Sequence, residues 1–410
     1  MAFRGLTVID VKEVLRRWSA GQSDRKIARE ACVDRKTAAR YTAVAASLFE
    51  RAGGNIERAG GNITSVRSFR ATPGENRQPE LASADGRGRM TAPRRILPGQ
   101  FYLVTRRTWQ RTFFLRPDPA VNTMFEYCLA EAAKKHDIDL ISWCAMSNHY
   151  HAVIYDRDGR VPAFIERFHK MVGKVLSAHY GRFEGIWSRD QTCLTRLVTM
   201  SDVLDSVAYV LSNPAAAHLV EDIAQYPGSS SWDRIGRAAK TVERPKVYFR
   251  DDGRMPSRVE LQAVAPRGLG PEKYKEWIER VRAAVRKRQS ELAKERKRPV
   301  LGAKGVMKMN PFASPKTQAP RRKLRPHLAC QDKKLMKEER RLLKEFRAEY
   351  RTVRIRLRTG EGKVEFPEGT YRLRLLGLRC KGCIDVTRAT SAGRSKRPPK
   401  KARNMKKAAA

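Results

Sequence analysis

Between residues 96 and 235 the hydrophobic pattern changes period repeatedly, and this alternation constrains the fold more than any other property of the chain. β-Forming residues at 101–105 predict a strand. Val121, Met124, Phe125, Cys128 and Leu129 recur at helical spacing within 119–135. Residues 139–146 and 150–155 read as two further strands, the first of them buried. Phe164, Ile165, Phe168, Val172, Val175 and Leu176 mark one face of a helix over 162–180. A strand over 194–199 follows, then a helix capped by Ser201 and running to about 212. The order is β-α-β-β-α-β-α. Its first six elements are the ferredoxin-like arrangement, an antiparallel sheet with helices on one face, so the fold class is α+β.

The flanking regions differ. Val8, Val11, Val14 and Leu15 predict a first short helix, Ser23 caps a second carrying Ile27, Ala28 and Ala31, and Asp34 caps a third. Arg35, Lys36 and Arg40 decorate that third helix. Residues 1–49 thus form a helix-turn-helix-like segment, resembling the N-terminal DNA-binding segments of some transposases and resolvases. ERAGGNI at 50–56 repeats directly at 57–63 without the two apolar seams of a coiled coil. With the Gly-, Ser-, Pro- and Arg-rich stretch that follows, it predicts a flexible linker over 50–93. The α+β domain spans 94–235. Residues 236–385 form a basic extension with long charged helices over 271–297 and 331–351 and a hairpin over 364–376. Residues 386–410 read as a disordered basic tail.

The chain has 410 residues, with 85 Lys plus Arg against 43 Asp plus Glu, a formal net charge of +42. Charge spread so widely calls for a polyanionic partner, nucleic acid first, rather than a small acidic substrate. No apolar run reaches the length of a membrane span, and MAFRGLTVIDVKEVLRRW has no apolar stretch followed by small residues, so a secretory signal is not expected. Seven widely spaced cysteines argue for a reducing compartment, so a cytoplasmic, nucleoid-associated protein is expected. Cys380 and Cys383 make a lone CxxC, half of a zinc site, and read as ordinary thiols.

Two local patterns carry chemistry. In the strand His149-Tyr150-His151, side chains two apart share a face, so both imidazoles sit side by side on the surface the helices leave open. That suits one divalent metal, although a bare His-x-His is more often a pair of solvated histidines. On the last helix Asp202, Ser206, Tyr209 and Asn213 form the polar stripe opposite Val203, Leu204, Val207, Ala208 and Leu211. Tyr209 and Asn213, one turn apart, place a phenol next to a polar oxygen ligand. Pro214 disfavours helical geometry at Asn213.

His-hydrophobic-His on a strand followed by Tyr-x-x-x-Asn-Pro on a later helix resembles the single-tyrosine HUH transposases. The similar branch is the one associated with repetitive extragenic palindromes, of insertion-sequence-200 type. PGQFYLVTRR, HYGRFEGIWSRD and YPGSSSW support the resemblance over 94–235. The chain departs from it after Pro214, at Ala215, Ala216, Ala217 and His218. The resemblance implies Tyr209 as nucleophile and His149, His151 and Asn213 as ligands of Mg²⁺ or Mn²⁺. It implies cleavage and rejoining of single-stranded or hairpin DNA through a 5′-phosphotyrosine. Arg106, Arg107, Lys170 and Lys174 are then backbone contacts and Trp187 a stacking platform. The N-terminal segment would add contacts to duplex DNA, and a homodimer stays open. Two other readings share these features: a regulatory DNA-binding protein that no longer uses the centre, and a rolling-circle initiator or relaxase.

Overall fold

The computed structural model describes residues 22–30, 39, 42–43, 55–59, 62–67, 93–267, 269–316, 326–371 and 373–382. The chain divides into two units, Met1–Arg89 and Met90–Ala410.

In the first unit, Asp24–Glu30 (α1) is the expected second helix. The Ile27 N–H donates to the Ser23 carbonyl at 2.9 Å, and Ile27 is fully buried. Ala39, Thr42 and Ala43 are helical, as a third helix requires, whereas Arg35, Lys36, Arg40 and the first helix lie outside the described residues. The duplicated heptapeptide is not featureless linker. Asn55–Ala59 (β1), which joins the end of the first copy to the start of the second, pairs antiparallel with Asn62–Arg67 (β2), which opens on the last two residues of the second copy.

The second unit is built on a five-stranded sheet. Its strands are Gln100–Arg107 (β3), Ile138–Met146 (β4), His149–Asp156 (β5), Cys193–Leu197 (β6) and Leu328–Ala329 (β9), in the order β4-β5-β3-β6-β9. The first four pair antiparallel and β9 joins β6 in parallel. Pro119–Lys135 (α2) and Val161–His179 (α3) pack on the face carrying Tyr150 and Ala152. Phe125, Tyr150 and Phe168 meet there edge to face, with ring centroids 5.2–5.7 Å apart. Helix starts follow local chemistry. Asp118 accepts from the Ala120 and Val121 N–H groups with Pro119 in the first turn, and Asp156 accepts from Arg160 and Val161.

The last helix of the motif, Met200–Ala216 (α4), lies on the opposite face, against β4, β5 and β6. Its start is one to two residues earlier than expected. Thr199, not Ser201, is the N-cap, in a capping box with Asp202, and β6 stops at Leu197 to free it. Asp202 is therefore buried rather than on the solvent stripe. The helix also runs through Pro214 instead of stopping near 212. A proline removes only its own N–H, and the turn before it is held by side chains: Ser212 Oγ donates to the Ala208 carbonyl at 2.7 Å and Asn213 Nδ2 to that of Tyr209 at 2.8 Å. The helix ends in a Schellman pattern, Leu219 N–H to Pro214 O and His218 N–H to Ala215 O, with His218 at φ 55°. This explains the Ala-Ala-Ala-His departure in local terms.

Several later segments complete the unit. YPGSSSW covers the exposed edge of β4. Ala145 N–H donates to Ser229 O, Ser231 N–H to Trp143 O, and the Tyr226 hydroxyl to Ala145 O at 2.8 Å. Lys240–Glu243 (β7) and Arg258–Leu261 (β8) form a hairpin against α2. Pro271–Glu295 (α5) packs on α4 through Trp277, Val281 and Val285. Gly302–Lys308 (α6) follows, and Lys333–Arg358 (α7) begins at the β9 edge. Among the described residues the hairpin expected over 364–376 does not form. Glu365–Phe366 (β10) pairs in parallel with Arg379–Cys380 (β11) instead, because Phe366, Val364 and Cys380 gather under Val353 of α7. No described helix is long and apolar enough to cross a membrane.

Candidate active site

Strand register assembles the first half of the site. Across β3 and β5, Arg107 faces His149 and Thr105 faces His151, all on the α4 side of the sheet. The two imidazoles stand edge to face, 4.8 Å between centroids. Each is anchored through Nδ1: His149 to Asn148 Oδ1 at 2.6 Å, His151 to Thr105 Oγ1 at 2.7 Å. With Nδ1 as the donor in each bond, Nε2 of each would carry the lone pair a metal ion could take, the usual arrangement of metal-binding histidine. Burial keeps both rings neutral. It pushes His149 down to about 4, helped by Arg107 and Arg111, and His151 well below its ordinary value, helped by His149 and Arg107.

The second half comes from α4. The Tyr209 ring lies 5.2 Å from that of His151, edge to face, and is 37% exposed. The ring thus meets one imidazole of the pair and solvent. A third element, invisible to motif reading, closes over it: the Arg288 guanidinium of α5 sits 5.5 Å above the Tyr209 ring. Nothing local marks Arg288 among the many charges of α5; the packing of α5 on α4 selects it. Asn213 stays on the Tyr209 helix and spends its Nδ2 on the Tyr209 carbonyl, not on either imidazole.

The remaining candidates divide. Arg107 is exposed beside the histidines, and Arg111 adds charge there. Arg106 is not a free DNA contact. It points to the Tyr150 side, donates to Thr192 Oγ1 at 2.7 Å and Ser188 O at 3.2 Å, and stacks on Trp187. Trp187 is no platform either, since its Nε1 donates to the His169 carbonyl and its ring packs against Tyr150 and His169. Lys170 and Lys174 are exposed on α3, across the sheet from the imidazoles, with Lys174 over Tyr248. Phe183 is fully exposed in the loop between α3 and β6, and Arg189 lies 5.2 Å over Trp109. That loop is tied to the end of β3 by Trp109 N–H to Ile186 O and Ser188 N–H to Arg107 O.

Tyr150, the other phenol of the motif, is excluded as nucleophile. It is buried on the far face and hydrogen-bonded to His169 Nε2 at 2.6 Å. Burial holds His169 well below its ordinary 6.5, with Arg106 adding to the effect. A histidine neutral when folded and protonated when unfolded costs stability as pH falls below 6.5, by up to about 1.4 kcal/mol per pH unit. Urea midpoints of wild type should therefore drop between pH 7 and 5, and those of His169→Gln should drop less; parallel slopes would remove His169 as the cause.

The donor set fits a metal only in part. Among the described residues no group of three or more His, Cys, Asp or Glu side chains is gathered to hold an ion. The two Nε2 atoms fit a divalent cation, but only with oxygen donors from Asn213, water or a bound phosphate to complete it. Nearby Arg107, Arg111 and Arg288 disfavour a bare cation and favour one that arrives with an anion. Cys380 belongs to the small apolar cluster under α7, and Cys383 lies outside the described residues.

No family model matches this chain and no curated protein matches it. Among solved structures, a REP-associated tyrosine transposase bound to a REP hairpin is similar at a TM-score of 0.31 and 16% identity, covering 39% of this chain and 98% of that one. A likeness of that size bears on neither mechanism nor substrate. The chemistry is carried by the residues of the site.

Proposed function

We propose that this protein cleaves and rejoins single-stranded DNA, using Tyr209 as nucleophile beside a divalent-metal site on His149 and His151. One observation carries the reading: a partly exposed tyrosine ring from a helix packs against His151, whose imidazole stands edge to face with that of His149 on the sheet, both rings anchored through Nδ1. The strand order of the four antiparallel strands and the helix after them support a ferredoxin-like HUH arrangement.

The reaction conserves bonds. The Tyr209 phenol gives up its proton, and its oxygen forms a bond to phosphorus as the P–O3′ bond breaks. The leaving strand takes a proton as its 3′-hydroxyl, and the 5′ end stays on the protein as a phosphotyrosine. Attack by a 3′-hydroxyl reverses the step and joins strands, so no nucleotide cofactor is required. His149 and His151, with Asn213 of α4 as the proposed oxygen ligand, would hold Mg²⁺ or Mn²⁺, which would polarise the scissile phosphate and offset its growing charge. Arg107 and Arg288 supply fixed positive charge to the same phosphate.

The test is incubation of a hairpin with single-stranded flanks, or its fully duplex counterpart, with protein and Mn²⁺. A denaturant-resistant adduct on the flanked hairpin alone is expected. Absence of any adduct, with tight and salt-sensitive binding retained, would instead favour a regulatory DNA-binding protein. Arg288→Ala should slow adduct formation about tenfold, the equivalent of about 1.4 kcal/mol. Arg288→Lys, which keeps the charge, should recover part of it, and an unchanged rate in both would limit Arg288 to packing.

A further inference from the structure

A second cationic site lies at the far edge of the sheet, and the function proposed above does not use it. A cavity of about 530 Å³ opens between β9 and α7. Arg340, Lys344, Arg347 and Arg351 recur at i, i+4, i+7 and i+11 along α7, which puts four cations in one stripe on its wall. The other wall is apolar, with Pro326 and Leu328, and Leu343 of α7 completes it. Among the described residues no carboxylate lines the cavity. The acids on this stretch of α7 are already taken, Glu339 by a bidentate pair with Arg196, Glu345 by Arg341 and Glu349 by Lys381.

Arg347 is the informative member. Its Nε and Nη2 are buried and have no hydrogen-bond partner. Unpaired buried guanidinium donors are costly, and burial accordingly lowers the group's affinity for its proton. His327 on the rim is likewise held below its ordinary value by burial, Arg347 and Arg94. A cluster of like charges destabilises itself unless an anion enters, and a planar fork with free donors matches phosphate oxygens. The apolar wall beside it matches a sugar or base rather than a bare ion.

We propose that this cavity binds one phosphodiester-linked nucleotide of a DNA strand, its phosphate on Arg347 and its neighbours on the stripe, its sugar and base against Pro326, Leu328 and Leu343. The site deepens the DNA reading given above and rests on it for the source of the phosphate. It stands at the β9 edge, three strand spacings from the histidine strand, about 14 Å. It would therefore grip the strand away from the cleavage point.

The experiment uses full-length Tyr209→Phe, so that no covalent adduct confuses binding, and a flanked hairpin oligonucleotide followed by fluorescence anisotropy from 50 to 200 mM salt. Arg347→Ala, and separately Arg340→Ala with Lys344→Ala on the exposed rim, should each weaken binding about tenfold. Each should also flatten the log–log salt slope by about 0.7 for every phosphate no longer neutralised. Lys273→Ala, an exposed cation on α5, controls for net charge and should change neither. Melting temperatures confirm folding, with the rim variant as the safeguard if Arg347→Ala is unstable. Equal affinity and slope in wild type and rim variant overturns the proposal while leaving the Tyr209 chemistry intact. Absence of salt-sensitive DNA binding in the parent protein overturns the DNA reading itself. Saturation by free thymidine 5′-monophosphate, seen as a thermal shift that the rim variant does not show and that has no effect on DNA binding, overturns the strand as the source.

Discussion

Tyr209→Phe is expected to eliminate the covalent protein–DNA adduct altogether while leaving the protein folded. The substitution removes one oxygen from a ring that is 37% exposed, so its cost in stability should stay within about 0.5 kcal/mol. The ring itself keeps its place between His151 and Arg288. What disappears is the atom that must bond to phosphorus, and no neighbour can replace it. Tyr150 is the only other phenol of the motif, and it is sealed on the far face of the sheet against Phe125, Phe168 and His169. The measurement is a denaturing gel of labelled flanked hairpin after incubation with protein and Mn²⁺. An adduct of equal yield from the Phe variant would move the nucleophile elsewhere and end the proposed mechanism. His151→Ala should lose the adduct as well, but by a separable route. Its deficit should shrink at high Mn²⁺ concentration if the imidazole's role is to hold the ion, whereas no concentration should rescue Tyr209→Phe.

Phe168→Ala is expected to cost about 3–5 kcal/mol of stability, read from urea unfolding monitored by far-ultraviolet circular dichroism. Phe168 is fully buried, and its ring contacts those of Phe125, Tyr150 and Phe164 at centroid distances of 5.2–5.8 Å. These rings fill the layer between the sheet and α2 and α3, so a cavity there cannot be relieved by a surface shift. The consequence for function follows from β5. Tyr150 on one face and His149 and His151 on the other belong to the same strand, so slack beneath Tyr150 loosens the imidazoles above. The variant should therefore also bind Mn²⁺ more weakly at a temperature where it is still folded. A stability loss under about 1 kcal/mol would show that this layer is not the rigid base on which the site stands.

The site was partly legible because its two halves are periodic. Alternation along 149–155 sorts histidines from Tyr150 without any tertiary knowledge, and helical spacing places Tyr209 on the polar side of α4. The same local reasoning misjudged Arg106 and Trp187. It counted their chemistry but could not see that Ser188, Thr192 and His169 had already taken their donors. It overlooked Arg288 and the α7 stripe for the converse reason: one charge among many on a charged helix carries no mark until another element packs against it. The misplaced cap at Ser201 is a smaller case. Thr199 and Ser201 are both competent caps, and only the length of β6 chooses between them.

Side-chain period alone determined the element order from 100 to 216, the face each histidine takes, and the amphipathic side of the tyrosine helix, because period depends on backbone geometry over a few residues. The meeting of Tyr209 with His151, the cover supplied by Arg288, and the cationic cavity beside β9 were decided by tertiary structure. Each joins residues tens of positions apart, so which of several chemically equivalent side chains converges is settled by strand register and helix packing.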